Sequence, residues 1–301
     1  MLITHFVSPQ EDGMTLHALM RGPMALSGRQ TRIVKQEGAV TVDAAPFFSN
    51  QPVRTGMVVR IELPDYEDET APARDLNAVR VLYEDDTLLA VFKPAPIQCH
   101  PSPSAPRGSD TLESRVQRYL GRSAHPVHRL DAETTGVVLF AKVPFVQAHL
   151  QHQMTDGRIA KRYQAWAYGV PSPESGEIDA PIARMTPDSF TRVVREDGQR
   201  AVSRYSVVRT APLPGGHCAS LLDLSPVTGR THQLRVHMTH IGCPLLGDTR
   251  YFTPASSSVS AALGLTHHQL SAVSIRFIHP VSGKEIAVAC DPVFSPQLSS
   301  L

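Results

Sequence analysis

The chain has 301 residues, 42% of them hydrophobic, which is enough for one large unit with a small appendage or for two ordinary domains, and too apolar for wholesale disorder. Lys plus Arg (29) nearly balance Asp plus Glu (28), so net charge names no polyanion partner, and any polyanion-binding surface has to be local. Cys99, Cys218, Cys243 and Cys290 form no CxxC pair, against a zinc ribbon or disulfide framework, and no apolar run reaches the roughly 18 residues of a membrane span. No membrane partner and a cytoplasmic location are expected.

Thr15 to Met20 can open a short helix, and Ser27 to Lys35 reads as a second, with Arg29, Arg32 and Lys35 three apart on one face. Ala39 to Val42 and Met57 to Leu63 read as short strands. From Gly13 to Leu63 the chain resembles an S4-type RNA-binding domain. The likeness lies in the Leu-Ser-Gly-Arg helix entry, the Gly-x-Val-Thr-Val strand and Gly56 before an apolar strand. It departs at Asp43-Ala44-Ala45, where that family has an Asn-Gly turn, and lacks a second basic residue after Arg29. The resemblance implies that Arg29, Arg32 and Lys35 touch phosphates, which positions RNA without specifying its sequence. The acidic, proline-containing stretch from Pro64 reads as a hydrated linker. The expected organisation is therefore 1–63, a linker at 64–78, and a catalytic unit at 79–301.

The larger unit opens with a strand and turn over Val79 to Thr87 and a buried strand over Leu88 to Lys93, stopped by Pro94. Asp110 has the spacing of an N-cap before Leu112, Val116 and Leu120, with Gly121 as the stop. Gly136 to Ala141 reads as a buried strand, Pro144 to Thr155 as a helix, and Tyr163 to Gly169, Ala201 to Val208 and Leu222 to Leu224 as further strands. Leu234, Met238 and Ile241 predict one buried helix face. Strands outnumber helices, so the expected fold class is α+β, with a mixed and largely antiparallel sheet.

Three segments carry unusual polar density: His128-Arg129-Leu130-Asp131-Ala132-Glu133-Thr134-Thr135-Gly136, Lys161-Arg162-Tyr163, and Thr228-Gly229-Arg230-Thr231-His232-Gln233-Leu234-Arg235-Val236-His237. Together with Gly242-Cys243-Pro244-Leu245-Leu246-Gly247-Asp248-Thr249-Arg250-Tyr251, they resemble, in register, the RluA-type family of pseudouridine synthases. Three departures stand out: Thr135 for Ser, Ala95-Pro96 where a glycine is usual after Lys-Pro, and Leu270-Ser271-Ala272 for Leu-His-Ala.

The resemblance implies isomerisation of uridine to pseudouridine in ribosomal or transfer RNA, the S4-like appendage favouring the large ribosomal subunit. It assigns Asp131 as the nucleophile, Arg235 as its ionic partner and Tyr163 as the surface stacked on the base. Isomerisation needs no redox change and no donated group, so no cofactor and no metal are expected. A carboxylate that forms a covalent adduct is the chemical requirement. Attack on the sugar, attack on the ring and proton abstraction from the sugar all fit the sequence. His128, Arg129, Arg230 and His232 are expected to grip the nucleotide, Leu270 to pack under the base, and Arg158, Lys161 and Arg162 to meet phosphates, along with Arg192, Arg195, Arg200 and Arg204. Asp131 and Glu133, two apart, would share a face on an extended segment, as a hydrolase would require, but Glu133 reads as a solvated turn residue. A non-catalytic RNA-binding factor would not need Asp131, Tyr163 and Arg235 together. A monomer is expected.

Overall fold

The computed structural model describes residues 2–24, 26, 28–37, 39–63, 75–101, 106 and 108–298. The acidic stretch 64–74, most of the expected linker, lies outside them.

The chain begins with β1 (Leu2–Phe6), α1 (Leu16–Arg21), α2 (Gly28–Glu37), β2 (Val40–Val42), β3 (Ala45–Pro46) and β4 (Val58–Glu62). The four strands form one antiparallel sheet in the order β1-β4-β2-β3. Thr15 caps α1 by accepting from the Ala18 amide. Asp43 and Ala44 both take positive φ, so the turn keeps a left-handed course without the Asn-Gly pair. The leading strand β1 was not expected; its apolar residues are too few and too interrupted by polar ones to stand out. Arg32 and Lys35 are exposed on α2, while the Arg29 side chain lies outside the description.

β5 (Arg80–Glu84), β6 (Leu88–Lys93), α3 (Leu112–Leu120), β7 (His125–Pro126), β8 (Thr135–Ala141), α4 (Pro144–Thr155) and β9 (Ala160–Tyr168) follow. Next come β10 (Ser175–Asp179), β11 (Ile182–Arg184), β12 (Arg192–Val194), β13 (Val202–Leu213), β14 (His217–Pro226), α5 (Gln233–His240), α6 (Pro254–Ala262), β15 (Leu270–Ile278) and β16 (Glu285–Ala289). Ten strands make one sheet along β10-β13-β14-β9-β15-β8-β6-β5, with β16 on β15 and β7 on β8. Its pairings are antiparallel except for β15 with β8. The fold is thus the expected mixed, largely antiparallel α+β.

Strand periodicity explains the layering. On β6, Leu88 and Ala90 face one way and Leu89 and Val91 the other, and β8 alternates likewise, so all seven β8 residues are buried. One face is covered by Phe145, Val146 and Leu150 of α4, and its cluster continues into Leu16, Leu19, Val34, Val59 and Ile61 of the N-terminal unit. The other face holds Leu130, Tyr163, Leu234, Met238 and Leu270.

Three local expectations are corrected. The N-cap of α3 is Thr111, which accepts from the Ser114 amide, whereas Asp110 binds Arg115 through Nε and Nη2. α5 is buried on every side from Gln233 to Met238, so periodicity understated it. β13 runs on to Leu213 because a bulge between Val207 and Arg209 resets the alternation that ended the expected strand.

Gly136 has φ +116°, and a Cβ there would stand 2.1 Å from the Ala272 carbonyl oxygen. Only glycine lets β8 approach β15 this closely. Gly136→Ala is expected to destabilise the protein by more than about 3 kcal/mol, read as the midpoint shift in urea unfolding.

Candidate active site

A cavity of about 230 Å³ opens beside the C-terminal end of α4, lined by Asp131, Tyr163, Leu270, Arg235, Lys161 and Met154, with the 226–234 segment as one wall. Asp131 ends the loop before a turn closed by the Thr134 amide on the Asp131 carbonyl, 3.1 Å, immediately ahead of β8. Tyr163 lies on β9 and Leu270 begins β15, strands that pair directly.

The turn carrying Asp131 is held from below. Lys93, 0% exposed, donates to the carbonyls of Ala132 (2.7 Å), Thr134 (2.8 Å) and Pro94 (3.1 Å). Burial pulls its pKa down to about 8. From the side, His268 binds Thr134 Oγ1 through Nε2 at 2.8 Å, and its Nδ1 stands 3.1 Å from Glu133 Oε2. Asp131 and Glu133 therefore sit on a turn rather than an extended segment, and Glu133, a partly exposed turn residue as expected, also meets a buried histidine.

Arg235 projects from α5 between two carboxylates. Its Nη1 donates to Asp131 Oδ2 at 3.0 Å, while Nε and Nη2 grip Asp248 at 2.7 and 2.8 Å. Asp248 also accepts from the amides of Arg250 and Tyr251, so its burial is compensated by four donors. Burial opposes the Arg235 charge, but Asp248 and then Asp131 outweigh it and raise its pKa. The same pairing, against burial, lowers that of Asp248. Gly247 permits the approach: a Cβ there would meet the His267 carbonyl oxygen at 2.1 Å. The Gly-Asp step inside the 242–251 motif was the available signal for Asp248. Lys93 gave a weaker one, as a charged end to an apolar strand.

The other expected residues divide. Arg129, Arg230, His232 and Lys161 line the cavity with Asp131. His232 binds the Tyr251 hydroxyl through Nδ1 at 2.7 Å; burial, aided by Arg235, Arg250 and Arg192 against Asp131, lowers its pKa to about 4. His128 is in the wall, but its Nε2 accepts from the Leu139 amide at 3.3 Å, which fits a structural support better than a grip on substrate. Arg162 pairs with Asp223 and, by strand alternation, faces away from Lys161 and Tyr163. Arg158 pairs with Asp156, Arg195 with Asp197 and Arg204 with Glu177, so these basic clusters are partly neutralised. His237 is a structural residue between Ser203 and the Ala180 carbonyl. Among the described residues, no group of three His, Cys, Asp or Glu is disposed to hold a metal, and no helix is long and apolar enough to cross a membrane.

The cavity joins an aromatic wall, Tyr163, to a carboxylate, Asp131, that Arg235 holds at 3.0 Å, an arrangement of the class found in enzymes that use a carboxylate. Comparison with known proteins makes the class specific. A family model described as RNA pseudouridylate synthase matches residues 87–240. The chain is 34% identical over 285 residues to an uncharacterized RNA pseudouridine synthase of Chloroflexus aurantiacus, covering 92% of this chain and 86% of that protein. It is 33% identical over 266 residues to ribosomal large subunit pseudouridine synthase C of Vibrio vulnificus, covering 85% and 82%. Human RNA pseudouridylate synthase domain containing 1 shares the fold, with a TM-score of 0.61 at 23% identity over 76% of this chain and 89% of that one. The chain belongs to the RNA pseudouridine synthase family. It is an isomerase acting on RNA.

His128 and His232 both have lowered pKa values, to about 3 and about 4, each chiefly through burial. An unfolded histidine takes up its proton near pH 6.5, so on acidification the unfolded chain binds protons that the native state refuses. Their contribution to stability is present above about pH 6.5 and is lost as pH falls toward 4. Tm is expected to drop between pH 7 and pH 5, and less steeply in His128→Gln, by calorimetry at the two pH values.

Proposed function

We propose that this enzyme converts uridine to pseudouridine in large-subunit ribosomal RNA, with Asp131 as nucleophile, Arg235 as its counter-ion and Tyr163 stacked on the target base. The observation that carries the reading is Asp131 at the cavity wall, held at 3.0 Å by an arginine that Asp248 already fixes. The names of relatives, ribosomal large subunit pseudouridine synthase C and D, support the target.

The uridine leaves its stack and enters the cavity between Tyr163 and Leu270. Asp131 forms a covalent adduct with the nucleoside as the bond from C1′ to N1 breaks. The freed uracil turns and C1′ bonds to C5 as the Asp131 adduct breaks and releases the carboxylate; the C5 proton leaves to water and N1 takes one from water, so the atom count is unchanged. Arg235 aims Asp131 through a charge-assisted hydrogen bond of 3.0 Å. Burial, with Asp131 nearby, pushes the Tyr163 phenol up, so it stays neutral and serves as a stacking surface rather than a base.

Arg129, Arg230 and His232 grip the nucleotide and Lys161 meets a phosphate, while His128 braces the wall. Arg162 drops out of the RNA surface, and Arg158 stays at its margin. The unit 1–63 is an S4-like appendage joined through 64–78 to the catalytic unit 79–301, with Arg29, Arg32 and Lys35 on phosphates. The enzyme acts as a monomer in this reading.

The test is tritium release from C5-tritiated large-subunit and transfer RNA of a strain lacking this protein. Wild type is expected to release tritium from large-subunit RNA, Asp131→Asn to release none, and Arg235→Ala to be slowed at least about 100-fold with RNA binding kept. Release from transfer RNA alone would contradict the target, and release from neither would contradict the reaction.

A further inference from the structure

Behind the wall formed by Arg129, Asp131 and Arg235 lies a second cavity, of about 420 Å³, within the usual range of about 300–1,000 Å³ for ligand sites. Its far side carries His100, Arg250 and Phe190. Phe190 is 77% exposed, although a large apolar side chain on a loop ordinarily packs away. Arg129 and Arg250 are exposed and, among the described residues, have no ion-pair partner. By contrast Arg235 is saturated by Asp131 and Asp248.

The Phe190 loop is not loose. It closes the β11–β12 hairpin, with the Met185 amide on the Thr191 carbonyl and the Ser189 amide on Thr186. At its end the Arg192 amide donates to the Tyr251 hydroxyl at 2.8 Å, the same hydroxyl that binds His232. The end of the hairpin that carries Phe190 is thereby linked to His232 in the wall of the first cavity through two hydrogen bonds.

An exposed aromatic beside unpaired arginines is the arrangement that holds single-stranded nucleic acid: the ring takes a base face and the cations take its phosphate. A uridine with its base in the first cavity is covalently joined to neighbours that must leave past Asp131. We propose that the second cavity is a subsite for the nucleotide next to the target uridine, its base stacked on Phe190 and its phosphate at Arg129 and Arg250. This rests on the reading of the first cavity as the uracil site. It makes Phe190 a residue that governs substrate preference without touching the reacting atoms.

The test uses the full chain and single-stranded RNA pentamers with a central uridine and 2-aminopurine placed immediately before or after it. Stacking on the ring quenches that base's fluorescence. Wild type and Phe190→Trp are expected to quench one of the two labels, which names the side. Phe190→Ala and Phe190→Leu should weaken binding about 5–100-fold and lose the quench, with unchanged Tm because the ring is exposed. Arg250→Gln should lower the slope of log affinity against log salt by about 0.7. In tritium release, Phe190→Ala should raise KM and leave kcat within about twofold. No quench of either label, or equal quench in wild type and Phe190→Ala, would overturn the proposal, as would a Phe190→Leu variant that binds like wild type. Quenching without tritium release from any RNA would support the subsite and count against the isomerase assignment of the first cavity alone.

Discussion

A guanidinium shared between two carboxylates organises this molecule. Arg235 is buried, and a buried charge is tolerated only when paired and hydrogen-bonded. Asp248 meets that need with two contacts and is itself satisfied by two backbone amides, which leaves the third arm of the guanidinium free to reach Asp131. The pairing fixes α5 and the 242–251 segment together and sets the position of Asp131. Tyr251 extends the unit: its ring lies 5.0 Å from the Arg235 guanidinium carbon, and its hydroxyl joins His232 to β12.

The turn before β8 completes the arrangement from the other side. Lys93 binds three carbonyls beneath it and His268 braces Thr134 and Glu133, so Asp131 is held from behind as well as from the front. Two departures from the family pattern meet here: Thr135 Oγ1 donates to Ser271 Oγ at 3.0 Å. A larger hydroxyl residue on β8 faces a smaller residue on β15, so the two changes compensate in volume and hydrogen bonding at the one parallel pairing of the sheet.

The strand-rich class, the helices around Leu16, Leu112 and Gln233, and the meeting of Asp131, Tyr163 and Arg235 at one cavity were legible in sequence because each depends on local pattern or on motifs in register. What escaped was long-range. Asp248 lies 13 residues from Arg235, and Lys93 is 39 and 41 from the carbonyls it binds, distances at which periodicity carries no information. Arg162 and Lys161 are neighbours in sequence but fall on opposite faces of β9, and Asp223, which neutralises Arg162, comes from the paired strand β14. The Glu133 contact depends on a turn that the apolar run after Gly136 does not announce. Charge counts likewise treated Arg195 and Arg204 as free, since their partners are visible only after folding.

The chemistry assigned to Asp131 depends on Arg235 being held from behind by a residue that never meets substrate. The direct measurement is the single-turnover rate of Asp248→Asn at saturating C5-tritiated RNA, with RNA affinity measured on the same folded sample. The substitution keeps the shape of the side chain but removes the charge that anchors the guanidinium. A rate reduced about 10–100-fold, with affinity within about twofold of wild type, is the predicted result. A wild-type rate from folded Asp248→Asn would contradict it.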